Sequence, residues 1–153
     1  MTDRTSAPRD GGCRCGQVRF RLSGPALITM ACHCRGCQKM TASAFSLSTL
    51  VADEAFEIIA GEPVVGGAGS PDLRHFFCPK CMSWMFTRPD AIGPFVNVRS
   101  TLLDDPSGLE PFVETQTAEK LPWATTPARH SFDRFPGPDD FGPLMAEYAG
   151  RPG

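Results

Sequence analysis

The chain has 153 residues, 41% of them hydrophobic and 21% charged, with a formal charge of −2. That is a globular composition, long enough for one domain with its own core and too apolar for a disordered chain. No apolar run approaches the roughly 18 to 20 residues of a membrane span. The slightly acidic balance gives no general attraction to nucleic-acid phosphates or anionic lipid.

Residues 1–10 open a polar stretch, MTDRTSAPRDGG, without the apolar centre of a secretory signal. They are expected to be a flexible N-terminal tail on a cytoplasmic protein, in a reducing compartment where paired disulfides are not expected. Residues 11–136 then read as one domain, punctuated by many of the 15 Gly and 15 Pro. Gln17–Leu22, Ala44–Val51, Phe56–Ile59 and Phe95–Val98 alternate apolar and polar side chains, the pattern of half-buried strands. Leu73–Phe77 and Met85–Thr87 flank a cysteine pair like the arms of a hairpin. Cys37–Ser43 offers one helical turn. Residues 137–153 are expected to be a C-terminal tail with a short helix over Phe141–Ala149. The fold class that follows is mainly β, with two small antiparallel sheets.

Seven cysteines fall in three clusters: Cys13 and Cys15, then Cys32, Cys34 and Cys37, then Cys78 and Cys81. Soft thiolates at such short spacing suit a tetrahedral zinc ion at about 2.3 Å. Cys78-Pro79-Lys80-Cys81 forms a knuckle that supplies two ligands, and Cys13-Arg14-Cys15 is the most economical source of two more. A closed four-cysteine site of this kind contributes gross binding energy on the order of 10 kcal/mol to folding. Cys32, Cys34 and Cys37 then provide three ligands and an open fourth position, the arrangement of a catalytic zinc. Two readings compete with this one. Cys34/Cys37 or Cys78/Cys81 suits a redox dithiol, and His33, His75 or His130 suits the fourth position of a second closed site.

These motifs resemble a known family. Gly12-Cys13-Arg14-Cys15-Gly16, Cys32-His33-Cys34-Arg35-Gly36-Cys37-Gln38-Lys39, Ala42-Ser43-Ala44-Phe45, Phe77-Cys78-Pro79-Lys80-Cys81-Met82-Ser83, Asp104-Asp105-Pro106 and Lys120-Leu121-Pro122-Trp123 are similar to those of the CENP-V/GFA family. That is the family of glutathione-dependent formaldehyde-activating enzymes, or S-(hydroxymethyl)glutathione synthases. The resemblance implies a zinc-bearing β-tent similar to that of the methionine-R-sulfoxide reductases. It also implies two zinc ions per chain, a structural one on Cys13, Cys15, Cys78 and Cys81 and a catalytic one on Cys32, Cys34 and Cys37. Two departures stand out. Met82 occupies a position where the family usually has Gly, and Glu114-Thr115-Gln116-Thr117 stands where it often has a His.

The activity implied is that of a carbon–sulfur lyase on glutathione, or another small thiol, and formaldehyde. The alternative is a non-catalytic zinc module for a protein partner. A sulfoxide reductase needs a reactive cysteine outside the metal sites, and this partition leaves none. Arg35, Lys39 and Arg99 are candidates to pair with substrate carboxylates, although such a residue is more often a solvated surface charge. Ser43 and Trp123 are candidate pocket residues, with core packing the plainer role for Trp123.

Overall fold

The computed structural model describes residues 8–152. In chain order the strands are β1 (Arg9–Gly12), β2 (Arg19–Leu22), β3 (Ile28–Cys32), β4 (Ser46–Ala52), β5 (Phe56–Ala60), β6 (Val64–Ser70), β7 (Leu73–Phe77), β8 (Trp84–Arg88), β9 (Phe95–Arg99), β10 (Val113–Thr115) and β11 (His130–Ser131). Helix α1 (Arg35–Thr41) follows β3, and α2 (Pro138–Gly150) follows β11.

The fold is mainly β with two sheets, but they are unequal. One is three-stranded, in the order β1-β2-β5, and the other eight-stranded, in the order β11-β10-β3-β4-β9-β8-β7-β6. The expected all-antiparallel pairing also needs correction, because β10 runs parallel to both β3 and β11. The reason is topological: the chain returns to the free edge of β3 only after completing the β4–β9 meander.

Residues 9–12 belong to β1, so the expected N-terminal tail is shorter than ten residues; residues 1–7 lie outside the described residues. Strand β1 lies tight against the domain. A Cβ on Gly11 would stand 2.5 Å from the carbonyl oxygen of Leu102 and 2.6 Å from the Phe20 ring, so only glycine permits the bridge to Leu103. Asp104 pairs with Arg19 and Asp10 with Arg21, which fastens this sheet at its exposed rim.

The two faces of the large sheet have different fates. On one face Val51, Val96, Val98 and Phe86 meet Val18, just before β2, and Phe20 and Phe56 of the small sheet. On the other, Ile28, Met30, Leu50 and Val113 are covered by Leu144 and Tyr148. Those two lie four residues apart on α2 and therefore on one side of it. The segment from 137 onward is thus packed on the sheet, not a free tail, and its helix starts three residues earlier than the apolar pattern implies. Pro138 at the first helical position and the Asp140 carboxylate accepting from the Gly137 N–H at 2.8 Å explain the earlier start.

Helix α2 covers only part of its face. Cross-strand register places Cys32, Ser46, Ser48, Arg99, Asn97, Thr87 and His75 on that same face. This row of polar side chains crosses the sheet toward β7, and the cysteine chemistry lies at one end of it.

Candidate metal centres

Backbone conformation brings the seven cysteines together as two groups. Cys13, Cys15, Cys78 and Cys81 place their sulfurs within 4.8 Å of one another, and so do Cys32, Cys34 and Cys37. All seven are free thiols. Both groups are able to hold a metal ion.

The four-sulfur group joins the turn after β1 to the turn between β7 and β8. Sγ–Sγ separations are 3.6 Å for Cys13–Cys15 and 3.8 Å for Cys15–Cys78. Four thiolates at about 2.3 Å from a tetrahedral ion stand about 3.8 Å apart, so the donor set fits a closed site. Backbone N–H groups already point at the sulfurs: Val18 donates to Cys13 at 3.3 Å, and Lys80 and Cys81 donate to Cys78 at 3.4 and 3.5 Å. The Ser83 hydroxyl, 3.2 Å from Cys81, is the main cause of that thiol being held down at about 5.

Met82 carries the cost of the departure from glycine. Its φ is +60°, so the knuckle keeps its left-handed turn with a side chain present, and Met82 N–H donates to the Cys78 carbonyl at 2.9 Å.

The three-sulfur group is built locally. Cys32 ends β3, Cys34 caps α1 and Cys37 lies in its first turn; the Cys34 sulfur accepts the Cys37 N–H at 3.2 Å. A thiol proton shared from Cys37 holds Cys32 down at about 5 and pushes Cys37 up. Three sulfurs this close favour a cation among them. No histidine joins either group. His33 Nε2 faces Glu114 at 2.9 Å, His75 faces the Thr87 hydroxyl at 2.8 Å, and His130 faces Glu147 at 2.7 Å.

The surroundings of Glu114, behind the three-sulfur group, are what the sequence did not reveal. Its carboxylate is buried and accepts from Ser131 at 2.7 Å, Thr126 at 2.9 Å and Lys120 at 3.4 Å, besides facing His33. Burial pushes its carboxyl up, but the Ser131, His33 and Thr126 hydrogen bonds and the Lys120 charge prevail and bring it down to about 2. The network fixes the Cys32-His33-Cys34 turn from behind. No short-range motif announces it, because the partners lie 81 residues apart and meet only through the parallel β10–β3 pairing.

Of the expected substrate-binding cations, Arg35 and Lys39 lie exposed on α1, where the Arg35 guanidinium is turned onto the Gln38 side chain. Arg99 is buried instead. With Ser43 it lines a cleft of about 620 Å³, together with Thr41, Phe45, Met82 and Trp84. Trp123 is 73% exposed and neither packs in the core nor lines this cleft. Lys120 and Asp104 of the downstream motifs serve ion pairs with Glu114 and Arg19.

Fold and site together define a mainly β protein with two cysteine clusters able to hold metal. The family described as "Glutathione-dependent formaldehyde-activating enzyme" (GFA) matches residues 8–119, and the chain belongs to it. A Halomonas elongata protein named "Putative glutathione-dependent formaldehyde-activating enzyme" is 31% identical, over 94% of this chain and 96% of its own. A crystal structure of a Rhodobacter sphaeroides protein, a structural genomics target, shares the fold at 17% identity with a TM-score of 0.50. That match covers 62% of this chain and 87% of the other. Among the described residues no helix is long and apolar enough to cross a membrane.

Proposed function

We propose that the protein is a zinc-dependent enzyme of carbon–sulfur chemistry that adds a small thiol, glutathione first among them, to a small aldehyde such as formaldehyde, or cleaves the adduct. Family membership and the name of the Halomonas relative supply the glutathione and formaldehyde parts of this reading. The observation that carries the rest is the contrast in donor number, four sulfurs in one group and three in the other. In this reading the two sheets form a zinc-bearing β-tent similar to that of the methionine-R-sulfoxide reductases. Cys13, Cys15, Cys78 and Cys81 hold a structural ion, and Cys32, Cys34 and Cys37 hold a second.

Zinc at the three-sulfur group supplies, when bound, a soft Lewis acid that lowers a thiol's pKa. In the addition an S–C bond forms, the aldehyde π bond breaks, and the thiol proton ends on the new hydroxyl. The chain's own residues bind and orient. The cleft runs from α1 (Met40, Thr41), the helix that carries Cys37, to Met82 and Ser83, which follow Cys81 in the chain; the cysteines themselves do not line it. Phe45, Leu47 and Leu102 give it an apolar wall that limits water, while the Thr41, Ser43 and Thr101 hydroxyls offer hydrogen bonds. Glutathione carries two carboxylates, for which Arg35 and Lys39 on the exposed side of α1 are available cations.

The test is zinc stoichiometry on wild type and Cys34→Ser, with glutathione titrated calorimetrically into both. Two zinc ions per chain, falling to about one with loss of glutathione binding, are the expected result. One zinc in the wild type, or binding indifferent to the substitution, would leave a structural zinc module whose partner is a protein.

A further inference from the structure

Arg99 is a buried cation without a counter-ion. It is 8% exposed, and no ion pair of the described residues includes it. Nη2 donates to the Thr87 hydroxyl at 2.9 Å, the guanidinium lies 3.8 Å from the centre of the Trp84 ring, and Nε has no partner at all. Leaving a buried charge this poorly matched is costly, and a bound anion is one way such a group is matched. Trp84 repeats the anomaly, for its indole Nε1 is also buried and unpartnered. Both residues line the same cleft. Both orphaned nitrogens are covered, but the two side chains line the cleft, and a buried positive charge on that wall calls for an acceptor-rich anion.

The negative groups that act on Arg99 are the sulfurs of Cys37 and Cys32. Burial brings Arg99 down to about 10, and the charges of Cys37 and Cys32 pull the other way, so it stays cationic at neutral pH and lies within electrostatic reach of that group. It is held rigidly at the end of β9, paired with Ser48 and stacked on β8. The planar fork of an arginine matches a carboxylate with two parallel hydrogen bonds, which an ammonium cannot reproduce.

We propose that Arg99, with Trp84 beside it, is the carboxylate-reading group of the cleft, so that the substrate thiol is one bearing a carboxylate within reach of its sulfur. This specificity role rests on the reading of the cleft as the thiol site. It separates glutathione and other mercapto acids from neutral thiols of similar size, and it assigns Arg99 a task apart from those of Arg35 and Lys39.

The experiment reads binding, not turnover. In a Trp123→Phe background Trp84 is the remaining tryptophan of the two, and its fluorescence reports on the cleft. S-methylglutathione, which keeps both carboxylates but has no free thiol, is titrated into this protein, into Arg99→Gln and into Arg99→Lys, with zinc content measured in each. The expected result is saturable binding that weakens about tenfold or more in Arg99→Gln and several-fold in Arg99→Lys, at unchanged zinc content. Should Arg99→Gln fail to fold, Arg99→Lys decides. Equal affinity in the folded variants, or no binding to the parent, overturns the proposal. A drop in zinc content on substituting Arg99 also overturns it, because the arginine would then be the counter-ion of the sulfur group. If the Arg99 variants lose S-methylglutathione while Cys34→Ser keeps glutathione, the anchor stands and the zinc–thiol reading falls; the opposite pattern reverses those conclusions.

Discussion

The two cysteine groups present similar atoms in opposite settings. The four-sulfur group is assembled from distant segments, with Cys15 and Cys78 separated by 63 residues, and it joins the small sheet to the large one. Its Cys13 and Cys78 are buried, within or beside the main core. The three-sulfur group spans six residues, all its sulfurs are half-buried, and its place is the end of one strand and the start of one short helix. A site that closes a long loop contributes to stability, whereas a local one ties together chain that is already held. In the proposed reading, what each group crosslinks is what separates the structural centre from the reactive one.

The strongest way to break the comparison is to substitute one ligand in each group. Cys78→Ser leaves a shorter, weaker ligand in a fully buried position and is expected to cost on the order of 4 kcal/mol or more, enough to abolish cooperative thermal unfolding. Cys34→Ser is expected to cost clearly less, even with its ion lost, since so local a ligand set also binds zinc in the unfolded chain and a serine oxygen takes over the bond from the Cys37 N–H. Thermal melts of the two variants side by side check this; comparable losses would dissolve the distinction.

A middle-sized effect concerns the support behind the local group. Glu114 is held at about 2 in the folded chain, below its ordinary value of 4.5. As pH falls from about 4.5 toward 2 the unfolded chain therefore takes up the proton first, and stability is lost across that window. Glu114→Gln is expected to lower stability near neutral pH by about 3 kcal/mol and to flatten the acid limb of the profile. Urea titrations of both proteins at several pH values measure it, and parallel profiles would show the carboxylate to be indifferent. The smallest effect sharpens the other side. Met82→Gly relieves a side chain at φ +60° and is expected to raise the urea midpoint by the equivalent of about 0.5 kcal/mol.

How far the sequence reveals this arrangement depends on the range of the contacts. Strands with one covered face, such as β2 and β5, alternate and can be read directly. Strand β3 is buried along Ile28, Thr29, Met30 and Ala31, which removes the alternation, and β6 is an exposed, glycine-rich edge, so neither has a periodic signal. The partition of the cysteines follows from spacing and from the family resemblance. The Glu114–His33 pair and the burial of Arg99 do not, because both depend on which strands become neighbours. Arg99 ends a run whose Val96 and Val98 face the main core, and nothing in the run tells whether the face it occupies is wet or covered.

The parallel seating of β10 on β3 has a consequence for the order of folding. Strand β3 finds β4 close by, but its second neighbour arrives only with residues 113–115. Closing so long a loop is slow compared with forming the hairpin. During refolding, amides of the β3–β4 ladder should thus gain protection from hydrogen exchange before those of the β3–β10 ladder. For that interval the Cys32–Cys37 turn exists without Glu114 behind it, a nascent site whose geometry is completed only by the last third of the chain.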